Sequence, residues 1–340
     1  MIEFHDREKE IQEIMRILNS RPDLITFVYG PINSGKTELF QYLVKTLPKK
    51  FVVFYINLRE RMIRDFNDFV EALFEIETGR KVVIKELVAE ITEFAGIPIS
   101  KSLLDQIFKE DKPKNAFRYI VKIVKDIKSK GKTPILILDE LQKIGDVKID
   151  GLLIYELFNL FVRLTKELHA CHVFAITSDS LFIEKVFNEA MLHGRCKYLL
   201  IDDFDYDTTV SFLKKHNFGK EEIKLTWNYL GGKPVYLVEA VKNKYRLKEF
   251  CEELLEDRVS SILYRIKSLK RKDENLFKQV ISLFGQFKEF EAIECGEISN
   301  EVVWCVKNNV LFLDPRKRFL KPQSRIDLLA IRRVLDEIKG

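Results

Sequence analysis

The chain has 340 residues, 46% hydrophobic and 32% charged, with a formal net charge of +5. This predicts a folded, soluble protein of two or three domains. No apolar run reaches the roughly 18 residues of a membrane helix, and five widely spaced cysteines without a C-x-x-C argue against a disulfide framework or a zinc site.

The N-terminus, Met1-Ile2-Glu3-Phe4-His5-Asp6, lacks the basic and apolar segments of a signal peptide, so a cytoplasmic location is expected. Residues 6–19 carry Ile11, Ile14 and Leu18 at helical spacing. Leu24–Tyr29 is a short β-rich run that reads as a buried strand, and residues 36–46 follow as a helix with Leu39, Phe40 and Leu43 on one face. Phe51–Ile56 predicts a second strand. Helices are expected at 66–76, 84–95, 100–109 and 114–128. Pro134–Leu138 predicts a third strand, and 151–169 a buried helix whose Glu156, Asn159, Arg163 and Lys166 form one polar stripe. His172–Ile176 and Tyr198–Ile201 complete five strands. The alternation of strand and helix predicts an α/β fold with a parallel five-stranded sheet. From about 205 to 270 the pattern is helical. The last 70 residues read as three helices and then a hairpin, Val310–Leu313 with Phe319–Leu320. The expected division is 1–203, 204–268 and 269–340.

Between the first strand and its helix stands Gly30-Pro31-Ile32-Asn33-Ser34-Gly35-Lys36-Thr37, followed by Glu38. This is a complete G-x-x-x-x-G-K-[ST] in the strand–loop–helix context it requires. Glycines let backbone N–H groups curl around phosphate oxygens, and the helix start adds a favourable dipole. Lys36 brings a point charge to the β- and γ-phosphates and to the reaction, and Thr37 offers a hydroxyl to Mg²⁺. ATP and Mg²⁺ are the expected cofactors.

Ile135–Leu138 places Asp139 at the C-terminal tip of a buried strand, where ligands of open α/β sheets bind. Asp139 is the second metal candidate, and Glu140 is placed to take a proton from the attacking water. Phe174–Ser180 ends a strand in hydroxyls, with Thr177 and Ser178 as candidates between γ-phosphate and water; the plainer alternative is helix capping by Ser178 or Ser180. Arg195, after Gly194, can stabilise charge on the transferred phosphoryl group, from its own or a neighbouring subunit; the alternative is a surface arginine. Gly231-Gly232-Lys233-Pro234 ends one helix and opens the next, or sets Lys233 and Pro234 against the nucleotide. His169 and His172 read as core or surface residues rather than ligands.

Together with Phe4-His5-Asp6-Arg7-Glu8-Lys9-Glu10 and Leu138–Gln142, these motifs in this order resemble the archaeal ATPase family of AAA+-related, STAND-like P-loop NTPases. The resemblance covers nearly the whole chain. It implies a slow ATP-hydrolysing switch in which a helical lid and a winged helix follow the core. It implies that Phe4, Arg7 and Glu10 lie beside the adenine, that Lys233 and Pro234 belong to a nucleotide-sensing lid, and that Arg195 corresponds to the arginine between core strands 4 and 5. No clear sensor-2 arginine of the AAA+ kind occurs in residues 231–245; Lys233 or Arg246 replaces it only in part.

The winged-helix resemblance rests on Ile298–Trp304, with Ser299 as N-cap, and a hairpin tipped by Arg316-Lys317-Arg318. From Arg258 to Gly340 there are 17 Lys and Arg against 11 Asp and Glu. Basic wing residues can contact DNA phosphates. Duplex DNA, as in Orc-type initiators, and a protein partner are both open, as is a nucleotide-binding scaffold without turnover. Glu297 and Glu301 near the helix start oppose a phosphate.

Overall fold

A computed structural model describes residues 2–60, 62–77, 92–109, 113–144, 153–189 and 192–339. Strands β1 (Ile25–Tyr29), β2 (Phe51–Asn57), β4 (Glu93–Phe94), β6 (Thr133–Asp139), β7 (His172–Ile176) and β8 (Cys196–Leu200) form one parallel sheet of order β4-β2-β6-β7-β1-β8. Every residue of β1 is buried, as expected of a central parallel strand covered on both faces. The two-residue alternation sends Phe27 and Tyr29 to one face and Val28 to the other. On the Val28 face pack α1 (Glu8–Asn19) and α2 (Lys36–Thr46), through Ile14, Leu18, Leu39, Phe40 and Leu43. On the Phe27 face pack α3 (Phe66–Leu73), α4 (Lys101–Lys109), α5 (Pro113–Ser129) and α6 (Leu153–Val162). A two-stranded pair, β3 (Phe74–Glu77) and β5 (Ile97–Ser100), joins the same core. Each fully buried Phe or Leu here contributes about 1.5–3 kcal/mol of transfer free energy.

Beyond the sheet, α7 (Ser180–Glu189) precedes β8. Then α8 (Tyr206–Lys215), α9 (Lys220–Leu230) and α10 (Pro234–Lys242) gather Phe212, Leu213, Ile223, Leu230 and Leu237 into a core of their own. The long helix α11 (Leu247–Lys272) serves two cores: Leu247 and Cys251 close this one, and Val259 to Leu269 enter the next. That last core joins α12 (Glu274–Gln286), α13 (Asn300–Lys307), α14 (Arg325–Lys339) and an antiparallel sheet of order β10-β11-β9, built from β9 (Ile293–Glu294), β10 (Leu311–Asp314) and β11 (Phe319–Pro322). No helix among the described residues is long and apolar enough to cross a membrane.

The sheet has six strands where five are expected from the sequence. The sixth, β4, is two residues at the edge, paired with Val53 and Phe54. So short a strand leaves no pattern to read. The helix expected at 84–95 falls mostly outside the described residues, and its end holds β4. The helix expected at 66–76 stops at Leu73, where Phe74 turns extended and pairs with Ile97. The helix expected at 151–169 is described from Leu153, and its last turn, Arg163–Glu167, widens to a π-helix. Its polar stripe lies exposed. Of the three helices expected before the C-terminal hairpin, two stand there and the third, α14, follows it.

Candidate nucleotide site

The eight-residue loop forms because three positions take backbone conformations its residue types favour. Gly30 lies so close to the end of the neighbouring strand β8 that a Cβ there would stand 2.0 Å from the carbonyl oxygen of Ile201, the residue that follows that strand. Gly35, at φ +88, turns the chain into α2, and Asn33 sits left-handed at φ +59. Lys36 is buried and curls over its own loop, its Nζ donating to the Gly30 carbonyl at 3.1 Å and the Pro31 carbonyl at 2.8 Å. Burial, and then the nearby Lys233 ammonium, lowers its pKa to about 8. Glu38 is exposed on the first turn of α2.

The loop and the acidic strand tip meet. Thr37 Oγ1 donates to Asp139 Oδ2 at 2.7 Å, and Tyr55 from β2 donates to the same oxygen at 2.7 Å. Burial and the Asp139 charge push the Tyr55 phenol up, which keeps it a donor. Register explains the Tyr55 contact, since β2 and β6 are neighbours and Asn57, two residues on from Tyr55, pairs with Asp139. A hydroxyl and a carboxylate side by side are hard oxygen donors of the kind magnesium takes. Thr37 and Asp139 therefore fit the ion the motif implies.

Glu140, next along, has the left-handed φ of +61, an uncommon conformation for a residue with a side chain and one that clusters at functional sites. Arg59 pairs with Glu140 Oε1, and Gln142 Nε2 donates to its Oε2 at 2.5 Å. Gln142 Oε1 in turn accepts from Thr177 Oγ1 at 2.7 Å. The tips of β2, β6 and β7 are thus wired into one chain of hydrogen bonds. Ser178 is half-buried beside Thr177 and has no hydrogen bond among those described. The cap of α7 is neither Ser178 nor Ser180: Asp179 Oδ1 accepts from the N–H groups of Leu181 and Phe182.

The N-terminal segment also reaches the loop. Arg7, buried, donates to the Ser34 carbonyl at 2.6 Å and to Glu10 at 2.7 Å, and its guanidinium lies 4.6 Å from the Phe204 ring centroid. Phe4 stacks on Tyr42 of α2 at 4.1 Å. Lys233 is also buried, pairing with Asp203 at 2.9 Å and donating to the Ile32 carbonyl at 3.0 Å. Pro234 occupies the first turn of α10. Gly232 is required by contact, because a Cβ would stand 1.8 Å from the Phe204 carbonyl oxygen.

Arg195 is not brought to this site. Its carbonyl accepts from Ile25 at the start of β1, whereas the loop follows the end of β1. Five residues of strand separate the two ends by roughly 16 Å. The exposed Arg195 side chain therefore lies at the opposite edge of the sheet from the loop. His169 binds the Pro22 carbonyl, His172 is buried, and no cluster of metal-ligating side chains occurs among the described residues.

The residues missed in the sequence are Tyr55, Arg59, Gln142, Asp203 and Gln323. Tyr55 left a trace, as a hydroxyl near the tip of an apolar strand. Gln142 stands two residues beyond Glu140. Nothing local marks Asp203 or Gln323, whose side-chain Oε1 accepts from the Ile32 N–H at 3.1 Å.

A phosphate-type loop opening a helix beside an acidic strand tip, on a parallel sheet with an appended helical region, defines a P-loop ATPase fold. Residues 4–240 match the model of an ATPase domain predominantly from Archaea. Residues 248–335 match the C-terminal domain of MJ1010-like uncharacterized ATP-binding proteins. The chain belongs to this archaeal ATPase family. An uncharacterized ATP-binding protein of Pyrococcus abyssi is 50% identical over 341 residues, spanning 99% of this chain and all of the relative. One from Methanocaldococcus jannaschii is 50% identical over 356 residues, with 99% of each chain covered. Among solved structures, a Walker-type ATPase of Pyrococcus abyssi aligns at a TM-score of 0.66 and 18% identity over 97% of this chain and 96% of its own. The Aeropyrum pernix ORC2 protein, in ADPNP-ADP complexes, aligns at 0.53 and 11% identity over 99% of this chain and 94% of its own.

Proposed function

We propose that this chain is an ATP-binding, slowly ATP-hydrolysing switch that couples its nucleotide state to the docking of a helical lid, 204–268, and a winged-helix-like module, 269–340, on a core of 1–203. The observation that carries this reading is the meeting of Thr37 and Asp139 at 2.7 Å beneath a loop whose outer side is bound by Lys233. The loop N–H groups and the start of α2 receive the phosphates. Lys36 Nζ leaves the Gly30 and Pro31 carbonyls for phosphate oxygens, a stronger charge-assisted bond. Thr37 and Asp139 hold Mg²⁺, which supplies charge to offset the β- and γ-phosphates. Phe4 and Arg7 cover the base side.

Hydrolysis needs Glu140 to accept a proton from the attacking water. Its carboxylate is engaged by Arg59 and Gln142, so turnover waits on exchanging one of these bonds for the water. Thr177 sits at the far end of that chain, and a change there passes to Glu140 through Gln142. Ser178 is the neighbouring hydroxyl candidate. Arg195 lies too far to act within its own chain, so any charge it brings to the phosphoryl group comes from a neighbouring copy.

A second reading, a DNA-binding ATPase, is favoured by one observation. Arg316 and Lys317 are exposed at the hairpin tip, and no ion pair engages Lys267, Lys270, Arg271 or Lys272 among the described residues. Against it, Arg318 and Lys321 are paired with Glu184 and Asp202 of the core.

Steady-state phosphate release by wild type and Glu140→Gln, with and without duplex DNA, tests both. The expected result is a drop of roughly 100-fold in the variant with ATP affinity retained. Equal release would remove Glu140 as the base. Turnover and ATP affinity indifferent to DNA at low salt would remove the second reading.

A further inference from the structure

One residue of the P-loop is gripped from outside at both its polar groups. The Ile32 carbonyl accepts from Lys233, and the Ile32 N–H donates to Gln323 Oε1. Lys233 is 2% exposed and Gln323 4%. Gln323 is itself anchored in the C-terminal module: its Nε2 donates to the Leu311 carbonyl at 3.1 Å, and its N–H to the Val310 carbonyl. One residue before the loop, Tyr29 donates to Asp314 Oδ1 at 3.1 Å. The same carboxylate oxygen accepts from the N–H groups of Arg316 and Lys317 in the hairpin turn. Phe312 is buried in the main sheet's core and stacks near Tyr29, with ring centroids 6.4 Å apart. The β10–β11 hairpin therefore sits against both the approach to the loop and the loop itself.

The two bonds that leave the hairpin, Gln323 to Ile32 and Asp314 to Tyr29, are not needed to hold it in its own module, since Leu311, Leu313 and Leu320 already lie in the C-terminal core. A buried glutamine is a poor way to bury surface, because its amide must find partners for both ends. It finds them only where loop and hairpin meet. We infer that Gln323 is a positioning residue through which the hairpin and the phosphate loop control each other: docking holds Ile32 in the loop shape that receives phosphate, and bound phosphate tightens docking. This rests on the reading of Gly30–Thr37 as a nucleotide site. A loop already held pays less ordering entropy on binding, so removing the grip weakens the ligand. Linkage requires the reverse effect to be of equal size.

The test uses the full chain. ATP affinity is measured by calorimetry, and hydrogen exchange of peptides covering 310–324 is followed with and without Mg–ATP. In wild type, ATP slows exchange in this hairpin. Gln323→Ala weakens ATP about tenfold and abolishes the ATP-dependent slowing. Tyr29→Phe, which cuts the neighbouring tie without touching Ile32, speeds exchange overall but keeps the ATP-dependent difference. Gln323→Met preserves side-chain volume and repeats the test should alanine unsettle the hairpin. A purely structural Gln323 lowers the melting temperature yet leaves both the ATP affinity and the ATP-dependent slowing at wild-type values, and that result overturns the inference. Absence of ATP binding in the wild type is a separate failure, which removes the nucleotide reading itself.

Discussion

The inner and outer sides of the phosphate loop are built by different means. Inside, the groups offered to a phosphate come from eight contiguous residues, and their geometry follows from Gly30, Asn33 and Gly35. Outside, the loop is held by Arg7 on Ser34, Lys233 on the Ile32 carbonyl and Gln323 on the Ile32 N–H, residues drawn from almost the whole length of the chain. The inner side is a local device that any compatible strand and helix can carry. The outer side is where this particular chain ties the device to its other parts.

The largest expected effect lies on the inner side. Lys36→Ala removes a charge-assisted partner of the phosphates and should weaken ATP by roughly 100-fold. The fold should persist, because a buried cation that burial already disfavours goes with it. Calorimetry together with a melting curve checks both halves; unchanged affinity would strip Lys36 of its role. Lys36→Met, with a side chain of similar length, guards against a collapsed loop.

Next in size is a pH effect that joins the two sides, because Lys233 helps depress Lys36. With the free Lys36 pKa lowered to about 8, the amine is largely neutral at pH 9. Phosphate favours the charged form, so binding at pH 9 must draw in a proton, and affinity falls as pH rises above about 8. In the free protein the sign is opposite: the unfolded chain holds this proton more tightly, so the stability contribution rises between about pH 8 and the ordinary lysine range. Calorimetry in buffers of different ionisation heat should give proton uptake near zero at pH 7 and approaching one at pH 9. A flat profile would mean that Lys36 is not buried as described.

The smallest effect belongs to neither side. Arg195→Ala should leave single-turnover hydrolysis unchanged at dilute protein, since Arg195 stands at the other edge of the sheet. A deficit that grows with protein concentration would mark a contribution between copies. A deficit at high dilution would contradict the distance.

Much of the fold was legible because its signals are local. Apolar runs such as Ile135–Leu138 mark buried strands, and Gly231-Gly232-Lys233-Pro234 marks a helix end and start. The edge strand β4 is not legible, because two residues carry no periodicity. Asp179 rather than Ser178 or Ser180 caps α7, a choice among adjacent polar residues that only the backbone path makes.

By itself, the sequence determined the strand–loop–helix unit, its acidic strand tip and the order of its parts, because those depend on backbone propensity and side-chain chemistry within a few residues. Tertiary structure alone decided which distant side chains meet them. Tyr55 reaches Asp139 through strand order, Arg195 is carried away by strand direction, and Gln323 reaches Ile32 across 291 positions. Such pairs form where packing of separate cores brings buried donors to buried acceptors, and no local pattern records which ones will meet.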